Sequence, residues 1–212
     1  MTIDLEFFIL SFSSLFVLID PIGIVPIFIS ITEEHNKKER DLIALKAVIF
    51  AFFVLILFAL IGELIFSFYN ITIHGFRIAG GILLFKISLD MVESKRSRTR
   101  TTPMEEKDAE GKDEIAYNPL GVPLIAGPGS IASIMILSSE SSNWNHKINL
   151  FFALATVLLI TFLTLRLSKY LTKTFGRSGL RIVKRIMGLL LMVISIEFIL
   201  KGIQGAIKTW SF

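Results

Sequence analysis

The chain has no cysteine, only three histidines and two tryptophans, and charge on just 19% of its 212 residues. Without cysteine there is no disulfide framework, no thiol nucleophile and no zinc ribbon, and the redox compartment is left open. His35, His74 and His146 stand far apart in the sequence, which argues against a metal centre. The opening MTIDLEFF lacks the basic segment of a secretory signal and runs straight into a long apolar stretch, so that stretch is taken as a membrane helix. A soluble domain carries about 25% charged residues. Here 53% of residues are hydrophobic, nineteen of them phenylalanine, and the mean hydropathy is +0.69. That is too much apolar mass for one aqueous core, and it makes the chain a membrane protein.

Charge-free runs sharpen this reading. Phe7 to Thr32 is interrupted only by Asp20, and Ile115 to Ser139 and Ile148 to Leu165 carry no charge. Each is near or above the roughly 18 to 20 residues that cross a bilayer as helix. Six transmembrane helices are predicted, over about 6–31, 42–69, 76–93, 118–139, 148–170 and 183–206. Sixteen loop cations fall on one side, and only Arg77, Lys147, Lys201 and Lys208 on the other. Positive-inside bias then places loops one, three and five in the cytoplasm of a multi-pass plasma-membrane protein, with both termini outside. The net charge of +4 is therefore a topology signal, with no nucleic-acid partner implied. The polar stretch from Ser94 to Tyr117 has almost no apolar content and reads as a flexible cytoplasmic linker.

Shifting the sequence by 107 positions lays Leu18 to Ile24 on Ile125 to Ile131, Arg77 on Lys184, Gly81 on Gly188, and Asp90 on Glu197. Residues 1–93 and 118–212 thus read as two three-helix repeats joined by the linker 94–117. Because three is odd, the second repeat enters the membrane from the opposite face. Inverted repeats with broken helices are a feature of secondary transporters, whose substrate site lies near the midplane.

Two breaks fit that pattern. Asp20-Pro21 in span one and Gly127-Pro128 in span four each pair a helix cap with a proline suited to the first helical position. The plainer alternative is that both prolines merely kink packed helices. Read as breaks, Asp20, Pro21, Ile22, Gly23 and Pro26 form one half of a substrate site. Gly127, Pro128, Gly129, Ser130 and Ile131 form the other half. The second break offers bare amides at the positive end of a helix to a carboxylate. Asp20 offers negative charge to an ammonium or a coupling ion, H+ or Na+. A small zwitterion suits that asymmetry, and no cofactor is implied. Pro26 and Pro123 are also expected to free the carbonyls of Ile22 and Pro119. Asn118-Pro119 reads as an ordinary cap and first residue of span four. Lys86 with Asp90 and Glu197 with Lys201 are spaced for pairing along one helical face, and Gly80, Gly81 and Gly188 for close helix approach.

DPIGIVPIF from Asp20, PLGVPLIAGPGSI from Pro119 and RIAGGILL from Arg77 together resemble the MarC family of integral membrane proteins. That family includes SnatA-type proteins regarded as small neutral amino acid transporters. The resemblance implies glycine- or alanine-like cargo and places the first binding break at Asp20, Pro21, Gly23 and Pro26 and the second at Gly127, Pro128, Gly129 and Ser130. A channel or exporter for another small polar solute is the alternative. An enzyme is not expected, because there is no Ser-His pairing, HExxH motif or second midplane carboxylate.

Overall fold

The computed structural model describes residues 4–93, 112–141 and 143–210, all of whose regular elements are helical. In chain order these are α1 (Leu5–Ile19), α2 (Val25–Ile31), α3 (Lys37–Phe68), α4 (Ile73–Val92) and the short α5 (Lys112–Ile115). A wide-coiled segment, Ala116–Ile125, follows, then α6 (Pro128–Glu140), α7 (Trp144–Arg166) and α8 (Ser168–Trp210). The first section of the linker, 94–111, lies outside the described residues.

Local chemistry sets the helix starts. Asp4 caps α1 by accepting the Phe7 amide at 3.1 Å. Its other oxygen meets His146 Nε2 at 3.0 Å, and that imidazole stacks on Phe7 at 4.7 Å. The Phe7 amide, helped by His146, holds the Asp4 carboxyl below its ordinary value. The start of α1 is thereby tied to the start of α7. Asn36 and Glu39 form a reciprocal capping box ahead of α3, and Thr72 caps α4 through the Gly75 amide. The 32 residues of α3 extend about 48 Å, which exceeds a hydrocarbon core of about 30 Å. Its charged first turns can therefore stand outside the lipid. In α8 the helix kinks at Gly176, whose φ of 62° is left-handed.

Among the described residues, three stretches are long and apolar enough to cross a membrane: Lys37–Gly62, Trp144–Arg166 and Arg181–Thr209. A fourth arises if Ala116–Ile125 and Pro128–Glu140, bent by 57°, count as one span. The remaining predicted spans are helical but less apolar or shorter. Helix α1 has 15 residues, and α4 carries His74, Arg77, Lys86 and Asp90. The chain is thus an all-helical membrane protein with three to four apolar spans, one of them bent. Large apolar side chains such as Phe53, Leu57 and Leu64 on α3 and Val193 on α8 are exposed, as lipid-facing residues are.

One expectation needs correction here. Asn118 does not cap span four. The helical region begins six residues earlier at Lys112, and Ile115 and Ala116 are already buried in the core. Asn118 and Val122 are extended, with ψ of 123° and 130°, because a following proline disfavours helical backbone. Both precede cis prolyl bonds. The coil closes by a wide hydrogen bond from the Ala126 amide to the Gly121 carbonyl at 2.8 Å.

One core cluster joins Leu15, Ile19, Ile24 and Phe28 around the first break to Ala47, Ala51 and Leu55 of α3, Leu124 and Ile125, and Leu154 and Val157 of α7. A second joins Val17, Leu18, Leu84, Ile87, Ile136 and Leu191. Helices α4 and α8 run antiparallel, backbone close to backbone. A Cβ on Gly81 would lie 2.9 Å from the Ser195 carbonyl and 3.1 Å from the Ile199 amide nitrogen; one on Gly188 would lie 2.9 Å from the Val92 amide nitrogen. Gly81 and Gly188 are 107 positions apart, as are Val92 and Ile199. The contact is therefore reciprocal.

Candidate functional site: two helix breaks

At the first break Asp20 does two jobs. Its backbone turns left-handed, φ 52°, and its amide closes α1 on the Phe16 carbonyl. Its side chain then accepts the Gly23 amide at 3.1 Å, and its carbonyl accepts the Ile24 amide at 3.2 Å. That is N-cap geometry with Pro21 in the first position. It opens a single turn, and regular helix resumes only at Val25. Aspartate tolerates the left-handed region because its short polar side chain bonds locally. Gly23 suits that turn, since a Cβ would collide with the Asp20 carboxylate and push it from its capping position. Asp20 and Pro21 are buried, Ile22 and Gly23 half-buried, and Pro26 exposed. The Ile22 carbonyl, expected to be freed by Pro26, instead accepts the Val25 amide at 3.2 Å.

The second break is simpler. Gly127 is extended, Pro128 opens α6, and no side chain caps the helix. The Ile131 amide returns to the Gly127 carbonyl at 2.9 Å. The Ser130 hydroxyl donates to the carbonyls of Ile125 at 2.8 Å and Gly127 at 3.0 Å. It satisfies the coil before the break, a role the sequence did not reveal. Gly127, Gly129 and Ser130 are buried, Ile131 is half-buried, and Pro128 is exposed.

Gly129 sits where the start of α6 meets α1 and α4. A Cβ there would stand 3.2 Å from Leu18, two residues before Asp20, and 3.1 and 3.2 Å from Leu84 and Ile87 of α4. The start of α6 thus packs against the last turn of α1, whereas Pro26 and Pro128 point away into the surroundings. Three flexible apolar side chains fill the space beside Gly129.

Other polar groups lie buried on the flanking helices. The hydroxyls of Ser11 and Ser14 on α1 and Ser133 on α6 have no hydrogen-bond partner among the described residues, and neither does Asn149 Nδ2 on α7. Most helical serines bond back to their own backbone, and buried polar groups in proteins are nearly always satisfied. Ser11 and Ser14 share one face of α1, a spacing of three that was readable but passed over. Arg77 meets Glu140 at 2.7 Å and links the start of α4 to the end of α6. Both are largely shielded, so Arg77→Met should lower stability by about 1–3 kcal/mol, read as a fall in Tm of the purified protein. Glu197 and Lys201 pair at 3.6 Å on the exposed face of α8. They are well exposed, as a surface pair is.

The model of MarC family integral membrane proteins matches residues 5–207. The UPF0056 membrane protein MJ1677 of Methanocaldococcus jannaschii is 46% identical over 96% of this chain and 99% of its own length. YvbG of Bacillus subtilis is 38% identical over 94% of this chain and 95% of its own. YhcE of Escherichia coli is 34% identical over 92% and 90%. Each is named as a UPF0056 membrane protein, a name that gives neither a substrate nor an enzymatic activity. No solved structure matches the chain significantly.

Proposed function

The chain belongs to the MarC family of integral membrane proteins, and on that premise we propose that it is a secondary transporter of small neutral amino acids, working by alternating access around the two helix breaks. The observation that carries this reading is the seating of the uncapped start of α6 on the side chain of Leu18, two residues before the buried Asp20. The amides at that helix start, with the positive end of its dipole, suit a carboxylate. Asp20 suits the ammonium of the same molecule. The buried hydroxyls of Ser11, Ser14 and Ser133 can supply further hydrogen bonds to cargo or to water.

The repeat supports an inverted six-span arrangement. The prolyl turn at Pro21 and the prolyl helix start at Pro128 stand 107 positions apart, as do Lys37 and Trp144, which open α3 and α7. Antiparallel packing of α4 on α8, with Gly81 and Gly188 exchanging equivalent contacts, is what a pseudo-twofold axis in the membrane plane would produce. On this reading both termini face outward and the halves rock about the shared site. Separation of Leu18, Leu84 and Ile87 admits the cargo to Gly129.

Liposomes containing the purified protein should show saturable counterflow of radiolabelled glycine or alanine. Flux that never saturates would favour a channel. Absence of any flux for either amino acid would overturn the reading.

A further inference from the structure

Away from the breaks, a cavity of about 140 Å³ opens where the start of α3 meets the junction of α7 and α8, lined by Lys37, Arg40, Asp41, Arg166, Ser168 and Lys169. Four cations face one carboxylate there, and Asp41 is engaged by Arg166 at 3.4 Å. Arg40 is only 6% exposed. Its Nη2 donates to Ser168 Oγ at 3.1 Å, and its guanidinium stands 5.4 Å over the Phe28 ring. A guanidinium has five N–H donors; among the described residues Asp41 is the one carboxylate near Arg40 and is shared with Arg166, so the four cations still favour a further anion in the recess.

The place of the cavity narrows the choice of anion. It sits at the first residue of one apolar span, Lys37–Gly62, and the last of another, Trp144–Arg166, at the border between lipid and water. Tyr170 completes its wall and is exposed, an amphipathic ring of the kind that settles at headgroup level. Exposed Leu42 and Leu45 on α3 and Leu163 and Leu167 beside Arg166 offer apolar surface within a turn of the charges. A phosphate carrying acyl chains matches both the basic recess and its greasy rim. The guanidinium fork suits phosphate oxygens, and basic recesses between membrane helices suit anionic headgroups.

We propose that this cavity binds the phosphate of an anionic phospholipid headgroup. The site is independent of the transport reading, because none of its lining residues belongs to either break.

Full-length protein in neutral detergent is titrated with phosphatidylglycerol, phosphatidylcholine or inorganic phosphate, and bound lipid is followed by native mass spectrometry alongside thermal unfolding. Phosphatidylglycerol should bind saturably and raise Tm, and phosphatidylcholine and inorganic phosphate should not do so at the same concentrations. Lys37→Ala with Lys169→Ala, both exposed and remote from the core, should weaken binding about tenfold or more. Arg40→Gln should weaken it further. If that buried variant fails to fold, the double lysine variant decides. Equal binding of phosphatidylcholine, unchanged binding by the double variant, or inorganic phosphate binding as tightly as phosphatidylglycerol would each overturn the proposal.

Discussion

Replacing Asp20 by Asn should abolish amino acid counterflow and leave the protein folded. Asparagine keeps an oxygen that can accept the Gly23 amide, now 3.1 Å from Asp20 Oδ1, and it also tolerates the left-handed backbone that Asp20 adopts. Only the charge is lost. Truncating one member of a buried charge contact costs about 2–5 kcal/mol, so cargo affinity should fall about thirtyfold or more. Asp20→Ala removes the cap as well and should cost about a further 1 kcal/mol of stability. Gly129 supplies the companion series. Alanine there meets the ends of Leu18, Leu84 and Ile87 at 3.1–3.2 Å. These side chains can yield, so counterflow should be reduced rather than lost. Leucine would occupy the space between the breaks, and flux should vanish. Wild-type counterflow in both Asp20→Asn and Gly129→Leu would remove the site.

The second large effect concerns stability. Gly81→Ala and Gly188→Ala each put a methyl against the backbone of the facing helix, 2.9 Å from the Ser195 carbonyl and 2.9 Å from the Val92 amide nitrogen. Backbone cannot swing aside as a side chain can, so α4 and α8 must separate. Overpacking of this kind costs about 1–3 kcal/mol, and the reciprocal geometry makes the two losses similar. Gly80→Ala is the control: its methyl meets only Ile136 Cδ1 at 3.3 Å and Ala132 Cβ at 3.6 Å, and it should be nearly neutral. Thermal unfolding of the three variants in one detergent reads the difference. A Gly81 variant as stable as the Gly80 variant would contradict the close α4–α8 approach.

Much of this architecture was legible because proline and glycine act locally. Proline cannot continue a helix that needs its amide, so Asp20-Pro21 and Gly127-Pro128 announced interruptions whatever surrounded them. Gly81 and Gly188 stood out once the offset of 107 aligned them. What escaped were features set by tertiary partners. Asn118-Pro119 has the composition of a helix start, yet Ile115 and Ala116 are drawn into the core and the helical region begins earlier. The pairing of Arg77 with Glu140 joins residues 63 positions apart, beyond any local pattern. Burial of the Ser11, Ser14 and Ser133 hydroxyls depends on which faces of α1 and α6 meet. In a span apolar all round, hydrophobic periodicity does not mark that face. The cavity around Arg40 combines residues from α3 and the α7–α8 junction, and only loop charge hinted at it.

The central claim is that both breaks line one wet site that opens in turn to either side of the membrane. The absence of native cysteine makes single-cysteine labelling a clean probe. Ile131→Cys, placed at the half-buried mouth of the second break, is exposed to a membrane-impermeant thiol reagent from each face of sealed vesicles in turn. Modification should occur from both faces and be slowed when glycine or alanine is present. A cysteine that stays inert from both sides, or reacts from one side only and ignores the amino acid, would contradict it.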